Sequence, residues 1–185
     1  CREVIKNIIT RYGIKVSFVD GKNIDNWEKE IKPNTKIFFF ETPSNPCLEL
    51  VDIEAVCKLA KKNNIKVVVD NILVSPVLQN PSKFGADIIV YSGTKHIDGQ
   101  GRTMGGAILS SEKFREEILK PFLRHTGPCI SPFNAWILSK GLETVHLRVN
   151  EQSKIAEKVV EFLSEHRKIE SVNYPFKKNH PQYAL

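Results

Sequence analysis

Ile65-Lys66-Val67-Val68-Val69-Asp70-Asn71 and, further on, Asp87-Ile88-Ile89-Val90-Tyr91-Ser92-Gly93-Thr94-Lys95-His96 are the stretches that decide the fold. Both begin as β-branched, apolar runs without alternation and both end abruptly in polar residues. A strand that is apolar on both sides must be covered on both faces, and helices packed on a parallel sheet do this. Working outward, Lys15 to Val19, Lys36 to Phe40 and Gly106 to Leu109 also read as strands. Helical periodicity fills the gaps between them. Asp25 and Glu28 suggest a capping box for a short helix, and Asp52 is placed to cap Ile53 to Lys62, whose Val56, Leu59 and Ala60 share a face. Strand, helix, strand in succession means parallel pairing, hence a layered α/β sheet.

Ser131 followed by Pro132 is a helix start, with a cap and then proline at the first helical position. The helical pattern runs to about Ser164, with an interruption or kink expected near Gly141, and such a length suggests a strut between domains. Ile169 to Asn173 then reads as a strand and Tyr174-Pro175 as a turn. The expected division is therefore residues 1–130 as part of a large α/β domain, 131–166 as a connecting helix, and 167–185 as the start of a smaller domain. Cys1 to Thr10 has no initiator Met and no secretory-signal layout, so the chain reads as starting in mid-helix, as a fragment would.

The chain has 185 residues, 41% hydrophobic and 26% charged, which excludes disorder and low complexity and allows a substantial core. Its longest apolar runs, such as Ile37 to Phe40, fall far short of the roughly 18 residues that span a bilayer. A net charge of +6 is compatible with anionic partners. Its distribution argues against nucleic acid, because basic residues are interleaved with acids, as in Glu28-Lys29-Glu30, and no aromatics are spaced to stack bases. Cys1, Cys47, Cys57 and Cys129 form neither a C-x-x-C pair nor a zinc spacing, which points to a reducing cytoplasm.

In open parallel sheets, ligands sit beyond the carboxyl ends of the strands. Three such ends carry polar residues: Glu41-Thr42-Pro43-Ser44-Asn45-Pro46, Asp70-Asn71, and Tyr91-Ser92-Gly93-Thr94-Lys95-His96. A carboxylate ending a buried strand needs a cation or a donor, Lys95 is a charge or a nucleophilic amine, and the Ser92 and Thr94 hydroxyls suit an anion such as phosphate. Each residue alone has an ordinary role, as a turn, a solvated lysine or a hydroxyl satisfying backbone; the set of three ends carries the argument. Other motifs fail. Gly99-Gln100-Gly101-Arg102-Thr103-Met104-Gly105 has methionine where a dinucleotide fingerprint needs glycine, so it reads as a loop near the site. Ser92-Gly93-Thr94-Lys95 lacks the companion motifs of acyl-serine enzymes. Glu143-Thr144-Val145-His146 lacks the second copy that a carboxylate metal bundle requires.

With these three strand ends, the run Ile97-Asp98-Gly99-Gln100-Gly101-Arg102 and the later Lys140-Gly141-Leu142-Glu143-Thr144, the chain resembles the pyridoxal-phosphate-dependent trans-sulfuration family of cysteine and methionine metabolism, nearest its sulfhydrylase branch. The resemblance implies an aspartate-aminotransferase-like (fold type I) architecture and pyridoxal 5'-phosphate as cofactor. It implies that Lys95 holds the cofactor covalently, that Asp70 pairs with its ring nitrogen, that Ser92 and Thr94 contact its phosphate, and that Asn45 lies near its hydroxyl and the substrate carboxylate. It further implies γ-replacement of O-succinyl- or O-acetylhomoserine with sulfide to give homocysteine, and a homotetramer. Family members are about twice as long, and their ring-stacking aromatic, glycine phosphate loop and substrate arginine have no counterpart here. Ile72 and Phe176 depart from common threonine and glycine positions. The alternatives are an inactive remnant or cofactor-binding piece, a cystathionine γ-synthase or methionine γ-lyase type activity, and, in another class, a basic nucleic-acid-binding module.

Overall fold

The computed structural model describes residues 1–185. Four strands form one sheet in the order β1-β2-β3-β4: β1 Ile37–Glu41, β2 Lys66–Asp70, β3 Ile88–Ser92 and β4 Gly106–Ser110. The first three are parallel and β4 is antiparallel to β3. The helices are α1 Arg2–Asn7, α2 Ile24–Lys29, α3 Ile53–Lys62, α4 Ser75–Leu78, α5 Glu112–Phe114, α6 Lys120–Thr126 and α7 Pro132–Glu165. This is the mostly parallel α/β sheet that the apolar runs predict.

Register explains which residues meet. Phe40 stands beside Val69, which stands beside Ile89, so Phe38, Phe40, Val67, Val69, Ile89 and Tyr91 share one face. That face is the core. Val56, Cys57, Leu59 and Ala60 of α3 cover it, and Trp27 of α2 packs edge-on against Phe38 and Phe40 at ring separations of 5.0 and 5.5 Å. Leu138 of α7 closes it over Ile89 and Tyr91. Asp52 caps α3 as expected, its carboxylate accepting from the Ala55 N–H at 2.9 Å. Asp52→Ala is expected to cost about 1 kcal/mol in chemical denaturation, the usual loss for an N-cap, with the m-value unchanged.

Several expectations change. The opposite sheet face is only partly covered: Ile37, Phe39 and Ile108 are exposed, and Val68 of β2 and Val90 of β3 are half-buried rather than enclosed on both sides. Total accessible surface is 13127 Å² against about 9,000 Å² for a compact monomer of this mass, so these residues leave much apolar surface open. Lys15 to Val19 and Ile169 to Asn173 are not strands, because neither forms a sheet ladder; β-propensity is realised only against a neighbouring strand. The cap of α2 is Asn23, which accepts from the Asp25 N–H, and not the Asp25 and Glu28 box. Helix α7 starts at the Ser131 cap as expected, yet runs unbroken through Gly141, where a Cβ would collide with the Ile97 carbonyl. Glycine serves close approach there, not a kink.

Candidate active site

Three strand ends converge, as the parallel sheet requires. Glu41 and Asp70 are register partners at the ends of β1 and β2, and Ser92 ends β3, which pairs with β2. Since parallel partners share a face and side chains alternate along each strand, Glu41, Asp70 and Ser92 all lie on the open face of the sheet, opposite the core. The side chain of Asp70 is half-buried, and its Oδ1 is a buried acceptor with no hydrogen-bond partner; the Cys1 thiol lies 3.9 Å from its Oδ2. Burial pushes the Asp70 carboxyl up from the ordinary range, opposed by the Ile72 N–H and the terminal amine. Glu41 is also pushed up, first by burial and further by the Asp70 charge, while its Oε2 accepts from the Asn45 N–H at 3.4 Å.

Beyond Ser92 the chain forms a wide π-type turn over Gly93–Ile97. It is closed by Asp98 N–H to Gly93 C=O at 2.8 Å and Gly99 N–H to Lys95 C=O at 2.7 Å. Gly93 N–H is held by the Gly105 carbonyl at 2.8 Å, and the Thr94 hydroxyl accepts from Gly105 N–H at 3.2 Å, so the loop 99–105 braces the turn. Lys95 projects from this turn exposed, with neither a hydrogen bond nor an ion pair. The Ser92 hydroxyl is likewise uncommitted, whereas Thr94 is tied to Gly105. Asn45 sits exposed in the β1–α3 loop, anchored through its backbone rather than its side chain. The structure thus sets Asp70 and Ser92 on adjacent strands with Lys95 three residues past Ser92, and places Asn45 four residues past Glu41.

Two supporting groups escaped the sequence reading. Asn71, fully buried, donates to the Ser75 and Gln79 carbonyls and to Tyr91 Oη, and accepts from Gln79 Nε2 at 2.7 Å, fixing the strand end next to Asp70. Asp98, fully buried, receives Arg102 Nε at 2.9 Å and the Arg102 N–H at 2.7 Å. Burial pushes that carboxyl up, but the Arg102 and Gln100 hydrogen bonds outweigh it and hold it below the ordinary range. The i, i+4 spacing of an acid and an arginine across glycines was the available signal. A cleft of about 520 Å³ lies mainly beside the start of β3 and the end of β4, lined by Lys66, Asp87, Ser110 and Phe114 among others. Its position at the amino end of β3 sets it apart from the site at the strand carboxyl ends.

The donor set fits pyridoxal 5'-phosphate. An unpartnered, buried carboxylate oxygen suits a protonated ring nitrogen, an exposed lysine amine suits the aldehyde carbon, and a free hydroxyl with turn backbone suits phosphate. Asp70→Asn is expected to raise the stability of the cofactor-free chain near pH 7 by a few degrees in Tm while weakening cofactor retention. The sign follows from linkage. A carboxyl raised on folding loses stability as pH rises from its unfolded value through its folded one, so the penalty grows over that range and is absent in strong acid. A Tm difference that persisted unchanged at pH 3 would contradict it.

Comparison with known proteins agrees with this cofactor. The chain is 47% identical over 185 residues to O-succinylhomoserine sulfhydrylase of Mycobacterium tuberculosis (strain CDC 1551 / Oshkosh), covering 100% of this chain and 46% of that protein. It is 41% identical over 179 residues to L-methionine gamma-lyase of Fusobacterium nucleatum subsp. polymorphum, covering 96% of this chain and 45% of that one. The crystal structure of metB from Corynebacterium glutamicum superposes with a TM-score of 0.95 at 37% identity, covering 99% of this chain and 48% of that one. The chain spans about half the length of the curated relatives it matches. Because the sequence pattern of the Cys/Met metabolism PLP-dependent enzymes matches residues 1–185 throughout, the chain belongs to that family.

Proposed function

We propose that this chain forms the lysine-bearing part of a trans-sulfuration enzyme that replaces the acyl group of O-succinyl- or O-acetylhomoserine with sulfide, giving homocysteine. The observation that carries the reading is the orphaned Asp70 Oδ1, at a strand end adjacent to the one that leads into Lys95. When bound, pyridoxal 5'-phosphate supplies an electron sink for carbanion charge at the amino acid. Asp70 holds the proton on the ring nitrogen, which its buried acceptor is suited to do. Lys95 would hold the cofactor through its amine, and the same amine would take and return protons at the substrate Cα and Cβ. Its freedom from any ion pair leaves the amine available for this. Ser92 would donate to a phosphate oxygen; Thr94, whose hydroxyl accepts from Gly105 N–H at 3.2 Å and donates to Gly105 C=O at 3.5 Å, places the turn and would redirect that hydrogen to the phosphate. Asn45 orients the ring hydroxyl and the substrate carboxylate from the loop that Glu41 holds.

The proposed setting is the cytoplasm, with all four cysteines free, and the proposed assembly is a homo-oligomer. A second reading is a chain that holds the cofactor without turnover. Mixing the purified chain with pyridoxal 5'-phosphate and then adding O-succinylhomoserine and sulfide separates the two. A visible band from bound cofactor with thiol formation supports the enzyme; a band without thiol supports the holding role; no band sinks both. Methionine supplied alone, with methanethiol detected, would move the assignment to γ-elimination.

A further inference from the structure

Arg148 is a cation with no carboxylate partner. It projects from α7 between three backbone carbonyls: Nη1 donates to His96 C=O at 2.8 Å, and Nη2 donates to Ile97 C=O at 3.0 Å and to Gly141 C=O at 2.8 Å. Its Nε donates to Thr144 Oγ1 at 3.1 Å, one helical turn away. The two turn carbonyls immediately follow Lys95, more than fifty residues earlier in the chain. Gly99, at φ +70°, leaves room for the guanidinium, since a Cβ there would overlap Nη1; Gly141 leaves room for the Ile97 carbonyl. A planar fork with five donors can hold three carbonyls in one geometry, which an ammonium cannot do equally well.

We infer that Arg148, seated between Gly99 and Gly141, is a positioning residue that locks the Gly93–Ile97 turn and so sets where the Lys95 amine stands. The inference rests on the reading of Lys95 as the cofactor lysine. The physical reason is that the backbone leaves helical geometry at Lys95 (φ −95°, ψ −112°), so the carbonyls that follow it need partners from outside the turn. With Arg148 in place, the His96 and Ile97 carbonyls are tied to a 34-residue helix, so the turn carrying Lys95 moves only if that helix moves. A lysine held this way presents its amine without the side chain itself having any contact.

The test compares Arg148→Met, Arg148→Lys and the milder Thr144→Val with the unaltered chain. Hydrogen exchange reads the turn directly through the Asp98 and Gly99 amides, which close it, and needs no cofactor. Covalent capture reads the amine: Lys95 and the aldehyde of pyridoxal 5'-phosphate condense with loss of one water, borohydride delivers one hydride, and peptide mapping gives the ratio of Lys95 to surface Lys58 and Lys140 labelling. Arg148→Met is expected to speed exchange at those two amides at least tenfold with β2 and α3 unchanged, and to lower the labelling ratio at least fivefold. Arg148→Lys should recover part of both, and Thr144→Val should fall between. Unchanged exchange at Asp98 and Gly99, or an equal rise across β2 and α3, would overturn the inference; if Arg148→Met does not fold, Thr144→Val decides by the same criteria. Absence of Lys95 labelling in the unaltered chain would defeat the proposed function, while the exchange data would still judge the lock.

Discussion

Replacing Lys95 by alanine is expected to abolish the visible absorbance of bound pyridoxal 5'-phosphate and all borohydride-fixed label at that position, while leaving the fold intact. The side chain is exposed and makes no hydrogen bond or ion pair, so its removal costs no packing. Stability should stay within about 0.5 kcal/mol of the unaltered chain, as for surface substitutions generally. Loss of capture is complete because the covalent link requires an amine at that place, and the neighbouring His96 is committed through Nε2 to the Leu73 carbonyl at 3.0 Å. Absorbance titration and peptide mapping check this. Undiminished absorbance, or label moved wholesale to another lysine, would remove Lys95 from its assigned role and with it the proposed reaction.

Gly141→Ala is expected to destabilise the chain, although alanine is the better helix former by about 1 kcal/mol. A Cβ at this position would drive into the Ile97 carbonyl, and the next nearest atoms, Ile97 C and Asp98 Cα, are also backbone. No side chain can swing aside, so either α7 or the lysine-bearing turn must shift. Overpacking of this kind costs about 1–3 kcal/mol, and more where backbone must yield. The net effect should be a fall in Tm of about 2–4 °C for each kcal/mol lost. Because the displaced atom belongs to the turn, capture of pyridoxal 5'-phosphate on Lys95 should fall as well. Asn150→Ala, on an exposed position of the same helix, serves as the control and should be nearly neutral. A rise in Tm for Gly141→Ala, as propensity alone would give, would show that the helix and the turn are not in close contact.

Asp70 and Glu41 are half-buried on the open side of the sheet, both raised by burial, and a cationic ligand group beside them would offset that burial. Their energetic cost without one is the reason cofactor addition should stabilise the chain, by an amount that grows with free cofactor concentration.

How much was legible beforehand can be judged residue by residue. Val67 to Val69 and Ile88 to Val90 announce parallel strands, Asp52 and Ser131 announce helix starts, and the polar residues after each apolar run mark the candidate site; all depend on neighbours within a few positions. Lys15 to Val19 has the same strand composition and failed, because a ladder partner is a distant fact. The cap at Asn23 was missed because Asp25 and Glu28 offered an equally good local pattern. Gly141 was read as a kink, since sequence records the absence of a side chain but not the carbonyl that occupies the space.

Local order and the strand ends are therefore legible in the sequence itself, through short-range sterics and hydrophobic period, while the candidate residues Asp70, Ser92, Thr94, Lys95 and Asn45 follow from those strand ends together with the family resemblance. Which side of the sheet stays open, which oxygen of Asp70 lacks a partner, and which carbonyls Arg148 grips were decided only by the tertiary structure. Those facts depend on how α7 lies against the Gly93–Ile97 turn, and helix packing is a property of surfaces assembled from residues far apart along the chain.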